Sequence, residues 1–308
     1  MSSSTETRNP PVAAARGAAT RRRRSVRATG RAPFRTYHLA LYLFLVCFAF
    51  SSLSAFLWVF NASLKTNREF LTTAPWSLAD GWRWSNYVTA WTNASIGDFF
   101  LNSVLVSVCA TVLGVAVAAF AAYPIARVEF KVNNLVLMVF LLGLMVPWMV
   151  TFIPLYMTVD DVGLLDSRLG LILVYATYNL PLNIFVLVGF MKTLPRELEE
   201  SAAVDGAGPT RTFLKIILPL LGPGLASVTI LSFLNNWNEF FYGLVLIHTP
   251  GKMTLPLGLF QLGQAADYGT NWVALFSGIM ITSVPVLLVF AFMQRHITRG
   301  LTAGAIKG

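Results

Sequence analysis

Two sets of residues have types and spacings that suit them to contact a polar molecule. Tyr175, Asn179 and Asn183 recur every four residues, so on a helix they share one face. Asn235, Asn238, Glu239 and Tyr242 fall at offsets of zero, three, four and seven and do the same. Both sets lie inside long apolar runs, where polar groups are costly unless they face a bundle interior or a wet cavity. Carboxamides both donate and accept hydrogen bonds, and a carboxylate accepts them. That mixture suits a solute rich in hydroxyl groups, and Trp237 and Phe240 add flat apolar surface beside it. The competing reading is adhesion between helices, where such contacts contribute roughly 1–2 kcal/mol each. The sequence leaves both readings open. Glu239 is the sharpest residue of the set, because a carboxylate there needs a partner, expected to be an amide or a water-filled cavity.

The elements that must position these residues follow from hydropathy. The chain has 308 residues, of which 56% are hydrophobic and only 12% charged. A shortage of charge this large, with apolar runs about 20 residues long, predicts a membrane protein. Six spans are expected at roughly 38–60, 99–125, 133–154, 168–190, 220–246 and 272–294. An even number puts both termini on one side, and lysine and arginine counts decide which. The N-terminal arm, the 126–132 and 191–219 loops and the C-terminal tail hold 18 of the 23 basic residues. Both termini are therefore expected in the cytoplasm. The predicted domains are an arginine-rich, disordered arm (1–37), a six-helix transmembrane domain (38–294) and a cytoplasmic tail (295–308).

Nine arginines precede residue 36, including four in a row at 21–24. The arm is read as a topology signal that can also meet anionic lipid headgroups, not as a nucleic-acid binder. Cys47 and Cys109 lie inside apolar runs and are read as buried small hydrophobes. His38, His248 and His296 are far apart, so no metal site is expected. The outer loop, 61–98, holds Trp76, Trp82, Trp84 and Trp91 and is read as a cap close to the membrane interface. Ala110, Gly114, Ala118 and Ala122 form a stripe that lets a second helix approach closely.

The segment LPRELEESAAVDGAGPTRTFLKIILP, 194–219, is polar and sits between two apolar runs. Pro195 suits a first helical turn, and Glu197, Glu199 and Glu200 suit the positive end of a helix dipole. Ser201, Ala202 and Ala203 give a smooth face. Asp205-Gly206 ends this helix and Gly208-Pro209 starts another, whose Phe213, Ile216, Ile217 and Leu220 form an apolar face. A smooth helix displayed beside a membrane fits a groove on another protein.

That segment resembles the cytoplasmic loop signature of permease subunits in binding-protein-dependent ATP-binding cassette importers. The matching residues are Glu200, Ser201, Ala202, Gly206, Ile216, Leu218 and Pro219, with Ser201 where the pattern usually has alanine. SLK at 63–65, NSV at 102–104, AAYPIAR at 121–127 and WNEFFYGLVL at 237–246 are similar to the sugar-importer branch. The ending GLTAGAIKG is similar to the second permease of maltose-type systems. The resemblance implies a six-helix permease bundle in a bacterial cell membrane, carrying a sugar of di- or oligosaccharide size. It implies that Glu200, Ser201, Ala202, Asp205 and Gly206 dock on an ATPase subunit. It implies too that Leu301, Gly304 and Gly308, in the tail, reach the ATPases. The implied partners are a second permease, two ATPase subunits, an extracytoplasmic sugar-binding protein and membrane lipid.

The missing chemistry agrees with that resemblance. No G-x-x-x-x-G-K-[ST] segment is present to cradle phosphates, nor a nucleophile elbow or zinc motif. The chain is expected to bind no cofactor and to catalyse nothing, with ATP and Mg²⁺ used by a partner. The alternative is a secondary transporter driven by an ion gradient. It would call for several intramembrane carboxylates and inverted repeats. Glu239 is the one acidic residue well inside a predicted span, and no repeat is visible.

Overall fold

The computed structural model describes residues 36–267 and 271–305. The arm up to residue 35, and Gly308 at the tail, lie outside the described residues. Two compact units are distinguished, one ending at Ser52 and one beginning at Leu53. The first, as described, is the opening part of helix α1 (Thr36–Ser63), with Leu39, Leu43, Phe44 and Phe48 exposed along it.

The second unit holds short helices α2 (Asn67–Thr72) and α3 (Ser85–Asn93), then the long α4 (Ile96–Arg127). Helices α5 (Asn133–Met145), α6 (Phe152–Asp161) and α7 (Arg168–Thr193) follow. The loop contributes α8 (Glu197–Val204), α9 (Pro209–Thr212), a π-turn (Phe213–Ile217) and α10 (Leu218–Leu220). The chain then runs through α11 (Gly222–Asn238), α12 (Phe241–Leu246), α13 (Leu255–Asp267) and α14 (Trp272–Ala305). Among the described residues four helices are long and apolar enough to cross a membrane, and the count reaches six if each of two bent pairs is one span. The bent pairs are α5–α6, turned by 96°, and the 209–220 segment with α11, turned by 76°.

The bends have local causes. Pro147 lacks a backbone donor and Val146 before it is extended, as residues preceding proline prefer. The predicted fifth span, 220–246, is not one rod. It stops at Asn238, Glu239 turns extended with ψ 129°, and a new helix starts at Phe241. The second apolar face in the loop also differs from expectation. Phe213 and Ile217 are buried, but Leu220 is exposed and Leu221 is buried in its place. A π-turn adds a residue to the helical repeat and rotates everything after it, so a 3.6-residue pattern counted from Phe213 misses by one.

The core is the packing of α4 against α7. Ala110, Gly114, Ala118 and Ala122 are buried along α4 as the small-residue stripe predicts. At Gly114 a Cβ would stand 3.0 Å from the Ala176 carbonyl oxygen, so a larger residue would have to push the two helices apart by a few tenths of an ångström. One end of the bundle carries a cap, 61–95, closed by polar bonds. Asn61 Nδ2 donates to Ser77 O at 2.8 Å, Asn86 Nδ2 to Ser63 O and Lys65 O, and Trp58 Nε1 to Pro75 O. Lys65 is buried, donating to Ser77 Oγ at 2.8 Å. Trp76, Trp82 and Trp84 project from the cap and are exposed. Cys47 and Cys109 are also exposed, contrary to the expectation of burial. Both lie on helices long and apolar enough to cross a membrane.

Candidate functional site: a polar seam, a cleft and a projecting loop

The two polar sets of the sequence meet. Asn179 Nδ2 donates to Asn236 Oδ1 at 2.8 Å, and Asn235 Nδ2 donates to Asn179 Oδ1 at 3.2 Å. Asn236 Nδ2 continues to Thr111 Oγ1 at 3.0 Å, which brings in α4. One turn along α7, Asn183 Nδ2 donates to Ser232 Oγ at 2.9 Å, and Ser232 Oγ approaches Asn183 Oδ1 at 3.1 Å. The result is a polar seam joining α4, α7 and α11. Tyr175, Asn179 and Asn183 are no more than 4% exposed, so this face of α7 is turned into helix packing.

Glu239 sits where the fifth span breaks. Its Oε1 accepts from the Tyr242 backbone N–H at 2.8 Å and its Oε2 from that of Gly243 at 3.2 Å. It therefore caps α12, whose first N–H groups have no partner within the helix. Tyr175 Oη donates to Glu239 Oε2 at 2.5 Å, tying the break to α7. The sequence calls for an amide or a water-filled cavity as its partner, and the carboxylate does line a cleft. The observed partners are a phenol and two backbone donors.

A cleft of about 400 Å³ opens at this break, lined by Tyr178, Asn235, Asn238, Glu239, Phe240 and Tyr242 among others. Asn238 is exposed and its Nδ2 folds back onto Leu234 O at 2.8 Å. Phe240 stacks obliquely on Phe260, centroids 5.1 Å apart. Trp237, which looked suited to a ligand, is instead 1% exposed and donates to Thr282 O at 3.2 Å. The expected set thus divides. Asn235, Asn238, Glu239 and Tyr242 reach the cleft, while Tyr175, Asn179 and Asn183 stand behind it. Sequence reasoning missed Tyr178, Asn236, Ser232 and Thr111. A signal for the last three existed: Ser232 and Asn236 are four apart, as are Ser103, Ser107 and Thr111, all buried.

Just before the start of α7 stands Asp166, in the left-handed region with φ 51°. Its carboxylate accepts from the His248 and Thr249 backbone N–H groups, from Thr249 Oγ1 at 2.6 Å and from Lys252 Nζ at 2.9 Å. Burial pushes this carboxyl up, but the bonds from Thr249, Lys252 and His248 outweigh it and hold it well below the usual carboxylate range. The 247–254 segment is clasped to the start of α7 in this way, and Asn102 Nδ2 holds its far side at Gly251 O and Met253 O. Among the described residues no cluster of three His, Cys, Asp or Glu is placed to hold a metal ion.

The loop forms the two helices and the glycine turn that the sequence predicts, although Pro195 falls before the first helix and not in its first turn. Helix α8 carries Glu197, Glu199 and Glu200 in its first turn and is capped by Asp205. Gly206 follows with φ +78°, a conformation glycine adopts without strain. Pro209 opens α9. Glu200, Ser201, Asp205 and Gly206 are exposed, and Val204 projects at 88%. Ala202 is 4% exposed, so it packs inward, and the outward face is made by Glu200, Ser201, Ala203 and Val204. Leu301 and Gly304 lie within the helical run of α14, which ends at Ala305.

Residues 110–303 match the family described as binding-protein-dependent transport system inner membrane component. A diacetylchitobiose uptake system permease of Streptomyces coelicolor is 40% identical over 251 residues, covering 82% of this chain and 83% of that protein. A trehalose transport system permease of Mycobacterium tuberculosis is 34% identical over 258 residues, covering 82% and 91%. The crystal structure of a bacterial ABC transporter that imports alginate has the same fold, with a TM-score of 0.73 at 20% identity, covering 85% of this chain and 96% of that one. The chain belongs to this family of inner membrane components. It is a multi-pass protein of the cell membrane, a permease subunit of an ATP-binding cassette importer, and not itself an enzyme.

Proposed function

We propose that the chain forms one half of the pathway through which a saccharide of di- or oligosaccharide size enters the cell. It works with a second permease, two ATPase subunits and an extracytoplasmic binding protein. The observation that carries this reading is the continuity of the polar seam. A cleft rimmed by Asn235, Asn238, Glu239, Phe240 and Tyr178 is tied by side-chain bonds to α7 and α4, the helices that flank the projecting loop. Carboxamides, a phenol and an aromatic face are groups that bind sugar hydroxyls and pyranose rings. Relatives named for diacetylchitobiose and trehalose support the solute class.

The loop is the site of coupling. Glu200, Ser201, Asp205 and Gly206 present a short, rigid, exposed helix end that fits a cleft on an ATPase, with Ala202 fixing it from behind. ATP and Mg²⁺ act in that partner, and this chain binds neither. The 18 basic residues on the loop side support a cytoplasmic position for both termini and the loop. The tail through Leu301, Gly304 and Gly308 extends towards the same ATPases. The arm meets lipid headgroups, and nucleic acid is not a partner. Closure of the ATPases moves the loop helices, and alternating access follows at the cleft.

The experiment is reconstitution of the assembled importer in proteoliposomes, with ATP hydrolysis and uptake of a panel of saccharides measured together. Loaded binding protein should stimulate both. Hydrolysis unaffected by every loaded binding protein tested, with no ATP-dependent uptake, would refute the assignment.

A further inference from the structure

We infer that Arg127 is the positioning residue that makes α8 and the α4–α7 pair one mechanical body. This rests on the coupling role proposed for the loop and names how its motion enters the membrane. Arg127 is the last residue of α4, yet its side chain is only 5% exposed. Nη2 donates to Leu194 O, at the C-cap of α7, at 3.0 Å. Nε stands 3.5 Å from Glu199 Oε2, in the first turn of α8, where the carboxylate is 19% exposed. One guanidinium therefore touches three helices.

The chemistry explains why arginine serves. The Leu194 carbonyl belongs to a helix end, where carbonyls lack intrahelical partners. The planar guanidinium donates to the carbonyl through Nη2, while its charge attracts the carboxylate beside Nε as an ion pair without a hydrogen bond. A second pair joins the same elements, Arg196 to Glu129 at 2.9 Å, but its side chains are 59% and 82% exposed. Water and salt screen such a pair, and it contributes little. The buried contact is the one that holds.

The covalent route from loop to cleft is a poor lever. It passes through the π-turn at 213–217 and then a 76° bend before α11 begins. The non-covalent route is stiffer. From Arg127 it follows α4 to the close approach of Gly114 and Ala176, then Thr111 to Asn236, and reaches the cleft through Asn179 and Asn235. Phe213 adds an apolar anchor on α4, its ring 5.2 Å from Phe120 and 4.8 Å from Tyr123. Motion of α8 therefore enters the bundle through α4 and α7, by way of Arg127.

The test uses the assembled importer in nanodiscs, with Cys47→Ala and Cys109→Ala as background. Spin labels at Val112 on α4 and Glu197 on α8, both exposed and outside the proposed docking face, report their separation by pulsed electron resonance. The parent should give one narrow distance distribution that vanadate-trapped ATP leaves unchanged. Arg127→Gln should broaden it at least twofold. Glu199→Gln should do likewise, and the double variant should be no worse than either alone, because the two act as one unit. If Arg127→Gln does not insert, Glu199→Gln carries the test. A distribution unaffected by either change, or effects that add, would overturn the inference. A second readout is the rate at which an impermeant maleimide labels Asn238→Cys. In the parent it should change at least fivefold with trapped nucleotide. In Arg127→Gln, ATP should still be hydrolysed while labelling no longer responds. A parent whose labelling ignores nucleotide would count against the proposed coupling, and the distance measurement would still decide the role of Arg127.

Discussion

The Tyr175 hydroxyl donates to Glu239 across the packing of α7 against the break between α11 and α12, at 2.5 Å. This bond places the carboxyl group of the cleft at a fixed point, and it makes the break a built feature. Removing the donor should be costly. Tyr175→Phe is expected to destabilise the protein by roughly 1–3 kcal/mol, the usual cost of taking a partner from a buried polar group. Thermal unfolding in detergent should show a lower midpoint, and Glu239→Gln, which keeps one accepting oxygen for α12, should lose less. Equal midpoints for Tyr175→Phe and the parent would mean that the bond holds nothing.

Asn183 and Ser232 exchange hydrogen bonds in the seam and lie away from the cleft. Their coupling energy in a double-mutant cycle should be about 0.5–1.5 kcal/mol, the range for polar pairs between membrane helices. Asn183→Ala should change stability but not the half-saturating solute concentration. A large rise in that concentration with unchanged stability would move Asn183 into the pathway.

Asn238 gives the opposite expectation. It is exposed at the cleft, so Asn238→Ala should leave stability within about 0.5 kcal/mol, as at ordinary exposed sites. The half-saturating concentration for uptake should rise several-fold, and Tyr178→Phe should act in the same direction. Unchanged uptake in both would remove the cleft from the route.

Asp166 makes stability depend on pH with a definite sign. Its folded-state pKa lies below that of the unfolded chain, so the folded state binds fewer protons. The stabilisation is whole above the unfolded value, about 4 for an aspartate. It fades as pH falls from there through the depressed folded value. The parent should therefore lose more stability than Asp166→Asn between pH 5 and strongly acidic solution, and the two should run parallel above pH 5. The comparison is read from unfolding midpoints. A parallel course throughout would show that the clasp on Thr249 and Lys252 does not stabilise the fold.

Gly206 has room around it but an unusual backbone, with φ +78°. Gly206→Val should cost about 1–2 kcal/mol through conformation alone. It should leave insertion intact and raise the ATP hydrolysed per solute moved, as should Glu200→Ala. Normal transport stoichiometry in both would remove the loop from coupling.

Much of this molecule is legible in the sequence because its signals are local. Glu197, Asp205, Gly206 and Pro209 each act on their own backbone, and α8, its glycine turn and the start of α9 follow, while Pro195 falls just before the N-cap and not in the first turn. The small-residue stripe on α4 likewise reports a contact made by the missing side chain itself. What stays hidden depends on partners or on phase. The window that reads 220–246 as one span averages Phe240, Phe241 and Leu244 with their neighbours, and hydropathy cannot see Glu239 turning to cap α12. The π-turn is invisible to any fixed period, so Leu220 and Leu221 change places. Asn235 and Asn236 are adjacent and chemically alike. Which one points to the cleft and which to Thr111 is settled only by the packing of three helices.

The most direct measurement is uptake into proteoliposomes holding the assembled importer, loaded with ATP and treated with ionophores that collapse proton and sodium gradients. Uptake should require ATP and loaded binding protein and should persist at the same rate with the gradients gone. Uptake that proceeds without ATP and stops when the gradients collapse would contradict the account.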